Sequence, residues 1–375
     1  MQIFIHILLL IAGLFLVVKG GDIFVDSSID LAKRFKIPTI IVGATIVSIA
    51  TTLPELIVST IAAAQGSTGL AVGNAVGSII CNTALISGLS ITIVPLTLKD
   101  KNNPFKFYLL LFSGLLLLFC SLDMSLTWYE SLIFFSIFFI YMGYNLYDAS
   151  KQIKKEKLAK PVIITEDSLK EEALKEEAEQ LAEEENKQLH KQDSKEDKKE
   201  ESIKSEETEE KENKKPKKMA LLVFLFILGA GMIAAGAFAL VEGAKYLAIA
   251  IGISESFVGL TIVAIGTSLP ELITTITAIK KKDTALGYGN VVGANILNVA
   301  LIMGMCGIIS GTKGLGITKY TVMVSIPVML VMCAIFVLPL ILKNKTYRWQ
   351  GITLLTLYGG YFVFLTVMSI LGIPL

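Results

Sequence analysis

Apolar runs separated by short polar breaks fill this chain on both sides of one charged stretch. A helix needs about 20 mostly apolar residues to cross the hydrocarbon of a bilayer. On that measure the runs predict ten spans, at 2–32, 38–64, 69–97, 105–122, 126–149, 219–250, 254–279, 284–310, 319–342 and 349–373. The first and sixth are long enough to imply tilt or a protruding end. The expected class is an all-α membrane protein.

Composition sharpens this picture. Of the 375 residues 53% are hydrophobic, more than a soluble domain carries. Charge is concentrated: residues 151–218 hold 21 of the 33 acidic and 18 of the 34 basic side chains. The net charge of +1 averages two unlike regions, so it names no partner. Nothing points to nucleic acid; the lipid bilayer is the expected surroundings. The opening apolar run has no basic lead and no small-residue cleavage signal, so it reads as retained sequence. Cys81, Cys120, Cys306 and Cys333 lie in apolar runs without metal-type spacing and read as packing residues.

Short-loop charges set the orientation. Lys33, Arg34 and Lys36 follow the first span, and Lys99, Lys101 and Lys106 surround the link between the third and fourth. Lys280, Lys281 and Lys282, then Lys343, Lys345 and Arg348, occupy the seventh-to-eighth and ninth-to-tenth links. Ten spans put these four links on one side with residues 151–218. That side is expected to be cytoplasmic, of a plasma (inner) membrane, with both termini outside. The segment 151–218 has no aromatic residue and is expected to be a largely disordered, solvated tether. It carries no calcium-loop spacing, and its protein partners are not legible.

The chain also repeats itself. At an offset of 216, "VGATIVSIATTLPEL" (42–56) matches "VGLTIVAIGTSLPEL" (258–272) at 11 of 15 positions. "GLAVGNAVGSIICNTALISG" (69–88) matches "ALGYGNVVGANILNVALIMG" (285–304) at 11 of 20. The chain then divides into a first repeat (1–150), the linker (151–218) and a second repeat (219–375). Five spans per half is an odd number, so the second copy enters the membrane upside down. Inverted repeats of this kind typify secondary transporters, with a site near the midplane.

Polar residues inside the second, third, seventh and eighth spans supply the chemistry. Pro54 cannot donate to the Ala50 carbonyl, nor Pro270 to Gly266, so each helix is expected to break and free carbonyls near 48–52 and 264–268. Thr51, Thr52, Thr267 and Ser268 add hydroxyls, and Glu55 and Glu271 add carboxylates. Ionisable residues within a span are functional candidates by default. Ser78 and Asn82 share a helical face, with Ala294 and Asn298 as counterparts. Gly73, Gly77, Gly289 and Gly293 are expected to let helices approach closely. Asp26 and Glu242 align and are expected near helix ends. The donor set is all oxygen, which suits hard cations such as Ca²⁺ and Na⁺.

These motifs resemble those of the cation/calcium exchanger superfamily, in particular its prokaryotic-type sodium/calcium exchangers, with G-T-S-x-P-E in the second helix of each half and G-S-x-x-x-N/D in the third. The resemblance implies broken helices 2, 3, 7 and 8 and no cofactor beyond the transported ions. It implies Glu55 and Glu271 as central ligands, joined by Thr51, Thr52, Ser78 and Asn82 from one half. The other half would supply Thr267, Ser268, Asn298 and the carbonyl of Ala264. Ala50, Thr52, Ala294 and Asn298 depart from the pattern. Ala294 removes a hydroxyl, and Asn298 leaves the fixed site charge near −2.

The expected function is exchange of Ca²⁺ for Na⁺ by alternating access, and the resemblance implies that spans 1 and 6 slide as a gate. An H⁺-coupled calcium antiporter is the alternative, and a passive cation channel or a membrane scaffold stand further off. Nothing suggests an enzyme.

Overall fold

The computed structural model describes residues 2–34, 48–97, 104–159, 219–280 and 284–371. Residues 42–47 of the first repeated motif, Lys36, Lys99, Lys101, Lys281, Lys282 and most of the 151–218 segment lie outside them. Two units are distinguished: 1–149 with 219–375, and 150–218.

The described residues are almost wholly helical. The first half runs α1 (Gln2–Arg34), α2 (Ser48–Thr51), α3 (Leu53–Ala64), α4 (Thr68–Ile80), a π-helical turn (Cys81–Ile86), α5 (Ser87–Ile93), α6 (Phe105–Cys120) and α7 (Trp128–Ala159). The second runs α8 (Met219–Ile251), α9 (Glu255–Val258), a π turn (Gly259–Val263), α10 (Ala264–Thr267), α11 (Leu269–Lys280), α12 (Thr284–Leu297) and a π turn (Asn298–Met303). It continues through α13 (Gly304–Ser310), a further π turn (Thr321–Ser325), α14 (Ile326–Lys343) and α15 (Arg348–Ile370). Eight helical stretches among the described residues are long and apolar enough to cross a membrane. The shorter apolar helices Leu53–Ala64 and Phe105–Cys120 stand where the second and fourth spans are expected.

α1 and α8 have 33 residues each, about 50 Å at 1.5 Å per residue, well beyond a hydrocarbon layer of about 30 Å. They pack on each other through glycine. A Cβ placed on Gly236 would come within 2.7 Å of the Gly13 carbonyl oxygen, so the backbones themselves touch there. Gly13 faces Leu240, and Gly20 faces Ile233, so these equivalent helices run antiparallel, as inversion requires.

The inversion recurs elsewhere. Gly88 of α5 lies against Gly351 and Leu354 of α15, and Gly304 of α13 lies against Ser131 and Phe135 of α7. A shift of 216 carries one contact onto the other. Gly73 and Gly77 of α4 press on Ser256, Leu260 and Ala264 across the boundary between halves, as expected. A Cβ on Gly289 meets no described atom within 4 Å, and the positions that correspond to the partners of Gly73, numbers 40, 43 and 44, lie outside the described residues. A two-stranded pairing of β1 (Ser125–Leu126) with β2 (Leu315–Gly316) joins two interhelical links.

Candidate functional site

The two prolines act differently from a simple helix break. α2 and α3 are separated by Thr52 alone, with φ −83° and ψ −3°; α10 and α11 are separated by Ser268 alone, with φ −82° and ψ 4°. Pro54 and Pro270 fall in the first turn of the helix that follows, where a missing N–H costs nothing. The gap is therefore narrower than loss of a proline donor implies. The Thr52 and Ser268 carbonyls accept from Leu56 and Leu272 N–H at 3.0 and 3.1 Å. The Ala264 carbonyl accepts Ser268 N–H at 3.1 Å and keeps a second lone pair. The third and eighth spans are interrupted by π turns, a form frequent at functional sites. Asn82 and Asn298 sit at the start of equivalent π turns.

Breaking each helix at that point places Glu55 and Glu271 in the first turns of α3 and α11, where helix N-termini favour negative charge. Both are 0% exposed, and no other Asp, Glu, Lys or Arg is fully buried among the described residues. Thr51, Thr52, Ser78, Asn82, Ala264, Thr267, Ser268 and Asn298 are buried as well. Contacts cross between the halves. Ser268 Oγ lies 3.4 Å from Glu55 Oε1, and Ser78 Oγ lies 3.5 Å from Thr267 Oγ1.

Several polar atoms of this cluster lack protein partners. Glu55 Oε2, both Glu271 oxygens and both amide atoms of Asn82 and Asn298 are buried without a hydrogen bond. Native interiors pair the great majority of such groups, and an unpaired buried carboxylate is especially costly. Oxygen donors held ready and unmatched are what a desolvated cation needs. Two carboxylates with neutral oxygens suit a hard ion in passage. No group of three or more His, Cys, Asp or Glu side chains occurs among the described residues to hold a resident metal.

Some residues of the cluster escaped sequence reasoning. Asn74 Nδ2 donates to the Glu55 carbonyl at 3.3 Å and to Ser59 Oγ at 2.9 Å, and its Oδ1 accepts from Thr267 at 3.1 Å. Asn290, its counterpart, accepts from Thr51 at 3.5 Å. The identical asparagine in the two repeats was the available signal. Asn295 Nδ2 donates to Thr83 Oγ1 at 2.8 Å, a contact between halves with no counterpart in the repeat pattern. Asp26 and Glu242 stand apart: each is exposed and within its helix, not at its end. All four cysteines are free, three of them buried.

The family model for the sodium/calcium exchanger protein matches residues 5–147 and 221–367. The chain belongs to that family. The matched stretches flank the charged segment and take in both repeats. The chain is 30% identical over 364 residues to the sodium/calcium exchanger MaX1 of Methanosarcina acetivorans, covering 97% of this chain and 99% of that protein. It is 30% identical to the inner membrane protein YrbG of Escherichia coli, covering 96% of this chain and 95% of that one. Among solved structures it matches the sodium-calcium exchanger NCX_Mj soaked with Na⁺ and Sr²⁺. There the TM-score is 0.58 at 26% identity, covering 96% of this chain and 99% of that one. This exchanger is therefore a multi-pass membrane protein built from two inverted repeats, and its relatives are transporters.

Proposed function

We propose that the protein exchanges Ca²⁺ for Na⁺ by alternating access. Glu55 and Glu271 are the central ligands, with Thr51, Thr52, Ser78, Asn82, Thr267, Ser268, Asn298 and the Ala264 carbonyl around them. The observation that carries the reading is the buried pair of glutamates, with three carboxylate oxygens and two whole amides left without protein partners. One Ca²⁺ or two Na⁺ neutralise that pair. Crossing the membrane with the pair bare would put two uncompensated carboxylates in a desolvated passage, which disfavours uncoupled return. Antiport follows from that cost.

In this reading residues 1–150 and 219–375 are the two repeats, and α1 with α8 is the element that slides. Residues 151–218 are a cytoplasmic tether, with both termini outside a plasma (inner) membrane. The protein performs no covalent chemistry and needs no cofactor. Proton coupling is the second reading. Its support is Ala294, fully buried and without the hydroxyl that Ser78 carries in the other half.

Calcium uptake into proteoliposomes, with sodium and proton gradients imposed separately, tests both. Uptake driven by outward sodium alone is expected. Uptake driven by protons and indifferent to sodium replaces the first reading with the second.

A further inference from the structure

A buried amide reaches both halves of the site without being one of its proposed ligands. Asn74 sits on α4, 0% exposed. Its orientation is fixed by its partners, because a carbonyl only accepts: the group against the Glu55 carbonyl at 3.3 Å must be the amide nitrogen. The same nitrogen reaches Ser59 Oγ at 2.9 Å. Oδ1 is thereby turned toward Thr267, 3.1 Å away on the opposite half.

Thr267 has one proton and several acceptors in reach. The Val263 and Ala264 carbonyls lie at 3.1 and 3.4 Å, and the Ala264 carbonyl already takes Ser268 N–H. No other donor reaches Asn74 Oδ1 among the described residues, so a proton turned elsewhere would leave a buried amide oxygen unpaired. The proton belongs on Asn74. With it there, the Thr267 oxygen offers only lone pairs to whatever else it faces.

The second half repeats the arrangement. Thr51 donates to Asn290 Oδ1 at 3.5 Å, and both residues stand 216 positions from their counterparts. Here the amide nitrogen is not seated: Asn290 Nδ2 and Thr275 Oγ1, the counterparts of Asn74 Nδ2 and Ser59 Oγ, have no partners. The same parts are closed in one half and open in the other.

We infer that Asn74 and Asn290 are positioning residues for the ion site. Each takes the proton of a threonine across the boundary between halves and so holds that threonine as an acceptor-only cation ligand. The inference rests on the exchange reading proposed above. It concerns side chains outside the proposed ligand set, and it makes the ion affinity of each threonine depend on an asparagine of the other repeat.

The test is a double-mutant cycle on the full chain in proteoliposomes, read as half-saturating Na⁺, half-saturating Ca²⁺ and maximal rate. Asn74→Ala and Thr267→Val are each expected to raise half-saturating Na⁺ about fivefold, the worth of one ligand interaction. The double variant should lose no more in half-saturating Na⁺ than the stronger single variant. Losses that multiply, or a fall in maximal rate with unchanged half-saturation, overturn the inference. Asn290→Ala with Thr51→Val gives the same cycle in the other half, so misfolding of one set leaves the other to decide. A wild type that ignores sodium overturns the exchange reading instead. The cycle on half-saturating Ca²⁺ then decides the positioning role.

Discussion

Ser268 directs its hydroxyl at Glu55, Oγ to Oε1 3.4 Å, across the boundary between two halves that diverge 213 residues apart in sequence. The carboxylate of one repeat is thus met by the broken helix of the other. Neither half alone carries all the ligands of the proposed site.

Glu55→Gln and Glu271→Gln are each expected to lower calcium flux by roughly two orders of magnitude while the protein stays folded in the membrane. One remaining carboxylate would face a divalent ion in low dielectric, and breaking a buried charge pair by removing one partner is strongly unfavourable. Flux per folded molecule in proteoliposomes measures this. Wild-type rates in either variant would remove that glutamate from the centre of the site.

The repeat made the two glutamates legible because a motif occurring twice, inverted, must meet itself. Matched Pro and Glu cannot be explained by generic apolarity, so Glu55 and Glu271 stood out. Asn74 and Asn290 matched equally well but carried no charge, and their partners lie 15 to 239 positions away. Such partners become visible only when helices pack. The π turns were hidden for a related reason: one extra residue in a helical turn leaves no compositional mark at Cys81–Ile86 or Asn298–Met303.

The unequal seating of the two asparagines makes a stability prediction. Ser59→Ala removes the 2.9 Å partner of Asn74 Nδ2 and should destabilise the purified protein by about 1 kcal/mol. Thr275→Val removes a buried hydroxyl that bonds to nothing and should be near neutral or slightly stabilising. Paired thermal unfolding in detergent separates them. Equal losses would mean that the two halves are seated alike.

Deleting residues near 160–210 while keeping the flanking lysines should preserve calcium transport. The proposed ligands all lie on spans 2, 3, 7 and 8, and the family match itself resumes at residue 221. Flux in a correctly inserted deletion variant is the measurement. Its complete loss would give the segment a role beyond tethering.

Ala294 and Asn298 are two of the four positions where this chain departs from the motif it resembles, and both are fully buried. If Ala294 removes a sodium ligand, Ala294→Ser should lower half-saturating Na⁺ by about threefold, a fraction of one hydrogen-bond equivalent. Calcium affinity should change less, because the glutamates dominate a divalent ion. Asn298→Asp acts through charge instead. A third acid beside Glu55 and Glu271 must either carry a proton or admit another cation, so flux should become pH-sensitive where the wild type is less so. A sodium titration of calcium flux at two pH values, for wild type and both variants, reads both effects. Sodium dependence unchanged in both variants would place these two positions outside the transport site. The orphaned amide of Asn298 would then need a different partner.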